Sequence, residues 1–110
     1  MRDDGARLRD ILEACQLLIE EIGPRVAALR TDPVLQAATQ RWIEIIGEAA
    51  SRLSDDVTAA NPDIPWRSMI GMRNVLAHGY FDIDAAVIEA VVGHDVPMIA
   101  RRIKEILEQS

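Results

Sequence analysis

The chain has 110 residues, a length that fits one domain, taken here as 1–110, and leaves little room for two. Hydrophobic residues make up 49% of it but aromatics only 4%, so the core must be aliphatic, which suits helix packing better than a β-sandwich. A formal net charge of −6 excludes the broad basic surface of a general nucleic-acid binder, so any chemistry on RNA must come from a local basic spot or a basic partner.

In chain order, the first predicted element runs from Asp4 to Ile22, with Leu8, Ile11, Leu12, Cys15, Leu18, Ile19 and Ile22 spaced by threes and fours as on one face of a helix. Gly23-Pro24 interrupts it, and Arg25 to Arg30 reads as a short continuation. Thr31-Asp32-Pro33 is a helix start, a capping side chain followed by proline at the first helical position. Leu35, Ala38, Trp42, Ile45, Ile46, Ala49 and Leu53 then form one apolar stripe on a second helix ending near Ser54. Residues 55–65, with Asn61-Pro62 and Ile64-Pro65, read as a loop. Pro65 opens a third helix, Trp66 to about Ala77, closing at Gly79. Asp82 and Asp84 are candidate caps for a fourth helical region, Gly93 and Pro97 mark a kink or a fresh start, and Ile99, Ile103, Ile106 and Leu107 line a final helix. No window alternates with period two. The expectation is an all-α bundle of four to five helices.

Cys15 is the only cysteine, which fits a reducing cytoplasm, and its place on an apolar face points to packing rather than reactivity. There is no apolar run of eighteen residues, and the polar Met1-Arg2-Asp3-Asp4-Gly5 is not followed by a signal-peptide core. A cytoplasmic protein without membrane contact is expected.

The segment Arg67 to Tyr80 stands out. At about 100° per residue, Arg67, Asn74 and His78 fall within roughly 40° of one another, with Gly71 on the same side. A glycine there costs about 1 kcal/mol of helix stability relative to alanine, so a close approach at Gly71 is expected. Arg73 sits about 140° from His78 on an ideal wheel. Either the helix ends before His78, or Arg73 reaches round, or the two meet across a two-fold axis. The residue types suit RNA transesterification. A histidine titrates near neutrality and can take a proton from a ribose 2′-hydroxyl or give one to the leaving 5′-oxygen. An arginine can grip a phosphate bidentately and stabilise the charge growing on phosphorus, and an asparagine can orient either group. Arg67 is a possible RNA contact. No metal or cofactor is called for. The plainer reading of His78 is a helix-end histidine interacting with the helix dipole.

Arg73-Asn74-Val75-Leu76-Ala77-His78-Gly79-Tyr80 matches the Arg-x4-His-x-Tyr motif of the HepT-like HEPN proteins. The run Ile64-Pro-Trp-Arg-Ser-Met-Ile-Gly-Met-Arg-Asn is similar to that family too, as are Arg9-Asp-Ile-Leu-Glu-Ala and Ile45-Ile-Gly-Glu-Ala-Ala, in order across nearly the whole chain. The resemblance implies a HEPN bundle that dimerises with its motifs facing a shared cleft. It implies a metal-independent endoribonuclease, the toxin of a type VII-like toxin–antitoxin pair, with Arg73 and His78 essential and Asn74 supporting. It further implies a minimal nucleotidyltransferase antitoxin that transfers AMP onto Tyr80 and so silences the site.

Other groups carry less. Glu44 and Glu48 are an i, i+4 pair, but neither His78 nor His94 has a glutamate three residues earlier, as a di-metal bundle would need. His94-Asp95 reads as a loop or cap, Trp42 as packing, and Trp66 as a staple or an interface residue. Arg101, Arg102 and Lys104 form a modest basic spot, ordinarily a solvated face. The competing reading is a non-catalytic helical module that partners a nucleotidyltransferase or presents substrate to it.

Overall fold

A computed structural model describes the backbone of residues 3–77 and 81–109 and the side chains of residues 3–74 and 86–109. Among the described residues there is no strand, and five longer helices and one short one follow in order: α1 (Asp4–Leu17), α2 (Pro33–Ser51), α3 (Asp55–Ala60), α4 (Trp66–Ala77), α5 (Phe81–Ala90) and α6 (Val96–Glu108). None of them is long and apolar enough to cross a membrane.

The helix starts follow their caps. The Asp3 carboxylate accepts from the Ala6 amide, and the Asp32 carboxylate accepts from the Val34 and Leu35 amides ahead of Pro33. The apolar stripes of α1, α2 and α6 meet in one core that contains Leu8, Ile11, Cys15, Leu18, Ile43, Ile46, Ile99 and Ile103. α2 lies between α1 and α4, and α1 also packs on α6. Side-chain ties fix the ends. Ser54 donates to the Asp4 carboxylate through both its amide and its hydroxyl, and these bonds hold that carboxyl below its usual value. Arg102 binds Asp63 and Asn61, and the Trp66 indole N–H donates to the Asn61 carbonyl.

Six expectations are corrected. Residues 55–65 are not all loop, because α3 forms within them, its Val57 amide bonded to the Ser54 hydroxyl and Asp55 and Asp56 in its first turn favouring the helix dipole. α2 accordingly stops at Ser51. Gly23-Pro24 does not break the first helix outright, since α1 runs into a π turn (Leu18–Ile22) and then a tighter 3-10 stretch (Gly23–Arg30), with Arg25 the one non-helical residue inside. Gly93 and Pro97 give no fresh start, because α5 passes through a second π turn (Val91–Asp95) into α6 with helical backbone throughout. A proline lacks the amide that an interior helix bond needs, and a wider turn is a common way to absorb that loss. His94 and Asp95 therefore lie within a continuous helical run, and Asp95 makes no capping bond. Asp82 and Asp84 fall inside the first turn of α5, not ahead of it.

Candidate active site

α4 carries Arg73 and Asn74, and its packing against α2 decides where Arg73 lies. The closest approach of the two helices is at Gly47. A Cβ there would stand 3.0 Å from the Met69 carbonyl oxygen and 3.2 and 3.3 Å from Cδ and Cβ of Arg73. Only glycine lets Arg73 lie flat against α2 at this distance. One residue on, Glu48 accepts a hydrogen bond from Arg73 Nη1 at 2.6 Å and another from Arg52 Nε at 2.7 Å. Arg73 is partly buried, at 31% side-chain exposure, whereas Glu48 is half exposed. Its carboxyl is held below its ordinary value, chiefly by the hydrogen bond and charge of Arg52, with Arg73 acting in the same direction. The motif arginine is thus pinned by charge on one side and by a glycine contact on the other.

Arg73 and Asn74 open onto a groove of about 670 Å³. Arg7 and Asp10 of α1 and Arg41, Glu44 and Glu48 of α2 form the rest of its polar wall. Arg41 lies 3.9 Å from Glu44 and is 70% exposed. Arg7 Nε is enclosed and has no hydrogen-bond partner among the described residues. A smaller recess, lined by Glu13, Leu17 and Trp42, shares Asp10 and Ile45 with this groove.

Arg73 and Asn74 are therefore brought to one surface. Arg67 is exposed on α4 but lies outside the groove wall. His78 and Tyr80 lie outside the described residues, so whether Arg73 and His78 meet stays with the three alternatives above. The close approach expected at Gly71 is not found among the described residues, where a Cβ would have nothing within 4 Å. The glycine that admits a neighbour is Gly47. The basic spot on α6 is also revised, because Arg102 is committed to Asp63, Asn61 and Glu105, with Arg101 and Lys104 exposed beside it. Trp42 packs against the core, as expected, while reaching the recess, and Trp66 is buried where it staples the start of α4. Burial pushes the Cys15 thiol up to about 12, which suits an inert packing role.

Sequence reasoning missed Gly47, Glu48, Arg7 and Arg41. Gly47 and Glu48 stand within one of the family-like segments, yet their role depends on which face of α2 meets α4. Sequence periodicity does not carry that information.

Residues 10–106 match the family model "Ribonuclease HepT-like". The "Putative RNase" of Caldanaerobacter subterraneus subsp. tengcongensis is 35% identical over 110 residues, 99% of this chain and 98% of its own. The "Probable ribonuclease HepT" of Thermococcus cleftensis is 37% identical over 101 residues, 90% of this chain and 91% of its own. A "Putative RNase" of Methanocaldococcus jannaschii is 36% identical over 104 residues, 94% of this chain and 95% of its own. No solved structure gives a significant match. With an all-helical bundle, a pinned motif arginine and matches over nearly its full length, the chain belongs to the HepT-like family of HEPN ribonucleases.

Proposed function

We propose that the chain is the toxin of a type VII-like toxin–antitoxin pair, an endoribonuclease that needs no metal and works as a homodimer. The observation that carries this reading is Arg73, the first residue of the Arg-x4-His-x-Tyr motif, held by Glu48 on the wall of an open groove with Asn74 beside it. Arg73 takes the scissile phosphate, with its guanidinium aimed at the oxygens that gain charge. His78 removes the proton of the ribose 2′-hydroxyl, the 2′-oxygen bonds to phosphorus, and the bond to the 5′-oxygen breaks. That oxygen leaves with a proton from a protonated imidazole, so no further reactant is required. Asn74 orients phosphate or imidazole by hydrogen bonding.

The partner in this reading is a minimal nucleotidyltransferase antitoxin. It would join the α-phosphate of ATP to the Tyr80 hydroxyl and release pyrophosphate. An anionic AMP two residues from His78 would compete with RNA for Arg73. Tyr80 is a poor base near neutral pH, its ordinary pKa being about 10, which suits a modified residue better than a catalytic one.

Purified protein incubated with RNA in EDTA, beside His78→Ala and Arg73→Ala, tests the reaction. Cleavage by wild type alone, with unchanged helical circular dichroism in both variants, supports it. No cleavage by wild type favours the non-catalytic module. Tyr80→Phe tests the switch: with the cognate transferase and ATP, intact-mass spectrometry should show an adenylyl group on wild type and none on the variant. Equal addition to both would remove Tyr80 from the mechanism.

A further inference from the structure

Three arginines from three helices, Arg7 of α1, Arg41 of α2 and Arg73 of α4, converge on one groove in a chain whose net charge is −6. The proposed reaction uses only Arg73. The other two are differently placed. Arg7 Nε is one of two buried side-chain polar atoms without a hydrogen-bond partner among the described residues, the other being Thr39 Oγ1 in the core. Arg7 lines the groove, and its enclosed Nε has an unmet demand for an acceptor that a shift of the side chain toward a bound phosphate would satisfy. Arg41 is 70% exposed and, among the described residues, held by a 3.9 Å contact with Glu44, so it is available to a ligand in the groove. The groove volume, about 670 Å³, exceeds what one phosphate group would occupy.

We infer that Arg7 and Arg41 form a second phosphate-binding subsite, which takes a phosphodiester next to the scissile one as an RNA strand runs along the face between α1 and α2. This rests on the ribonuclease reading, and it places substrate recognition beyond the motif. Asp10, Glu44 and Glu48 line the same wall and lower its net charge. The subsite therefore acts through short hydrogen-bonded contacts that set the register of the strand, not through a broad positive field. A base on the strand would lie toward the recess that holds Trp42, which shares Asp10 and Ile45 with the groove and offers an aromatic ring.

Fluorescence anisotropy of a labelled 2′-O-methyl octaribonucleotide, which cannot undergo 2′-hydroxyl attack, measures the contacts directly. Affinity is followed against salt for wild type, Arg7→Gln, Arg41→Gln and the control Arg9→Gln, an exposed arginine on α1 outside the groove wall. Each lost phosphate contact to a single strand should lower the slope of log affinity against log salt by about 0.7. Arg7→Gln and Arg41→Gln are each expected to show that reduction, and Arg9→Gln is not. Should Arg7→Gln fail to fold, the solvent-exposed Arg41→Gln still decides. RNA cleavage by wild type together with wild-type slopes in the folded groove variants overturns the subsite and leaves the ribonuclease standing. Reduced slopes without any cleavage by wild type keep the anion site and remove the nuclease.

Discussion

At the scale of single residues, the motif arginine owes its place to a partner 25 positions earlier in the chain. The Glu48 carboxylate couples Arg73 to Arg52, so in the proposed reaction the guanidinium would approach a phosphate from a fixed direction. Glu48→Gln keeps the shape and removes the charge, and Arg73 should then swing out toward water. We expect kcat to fall by about tenfold, a loss on the order of 1.4 kcal/mol in the transition state, with KM changed less, as measured by initial rates on a defined oligoribonucleotide. Equal kcat in the variant would mean that Arg73 does not need this anchor. The pH dependence has a definite sign. The Glu48 carboxyl is depressed in the folded chain, so its pairing is complete above the ordinary carboxylate range and is lost as pH falls through the depressed value. Activity should show a further fall at low pH, below the limb set by the catalytic imidazole, that Glu48→Gln removes. Arg73 and Asn74 are legible as candidate site residues from the motif alone. Glu48 was visible only as an i, i+4 neighbour of Glu44, because a contact between helices leaves no local spacing to read.

The elements were the most legible level. Periods of three and four, with Asp32-Pro33 and Pro65 as punctuation, located α1, α2 and α4 to within a few residues. Both π turns escaped detection, because glycine and proline report a disturbance of the helix and not whether the chain breaks or widens there. The two turns pack against each other, so tertiary contact selects the bend. Capping has a measurable consequence: Asp32→Ala removes the acceptor for two amides at the start of α2 and should cost about 1 kcal/mol in a urea titration. Gly47→Ala tests the crossing of α2 and α4. On propensity alone it would stabilise the helix by about 1 kcal/mol. The added carbon would meet a backbone oxygen at 3.0 Å and Arg73 at 3.2 Å, so overpacking of about 1–3 kcal/mol should win. A lower thermal midpoint together with reduced RNA cleavage is expected; a raised midpoint would show that the helices separate at little cost.

For the whole molecule, the open question left by the sequence is why α4 carries a glycine on the face it shares with Arg67 and Asn74. Among the described residues nothing approaches Gly71, and all three residues are exposed. A mid-helix glycine without an internal reason is destabilising by about 1 kcal/mol, and a second copy of the chain packed against this face would supply the missing approach. A two-fold arrangement would also bring both copies of Arg73 toward one cleft, concentrating positive potential in a chain that is acidic as a whole. The expected light-scattering mass at micromolar concentration is therefore twice the 12.2 kDa of one chain. Gly71→Ala separates this account from a monomer by the sign of its effect. In a monomer the added methyl meets open space and should raise the thermal midpoint through helix propensity. At a tight two-fold contact it should instead shift the mass toward a single chain and weaken RNA cleavage. A wild type that scatters as one chain, or a Gly71→Ala variant that is simply more stable and fully active, would leave α4 without an interface and each groove to work alone.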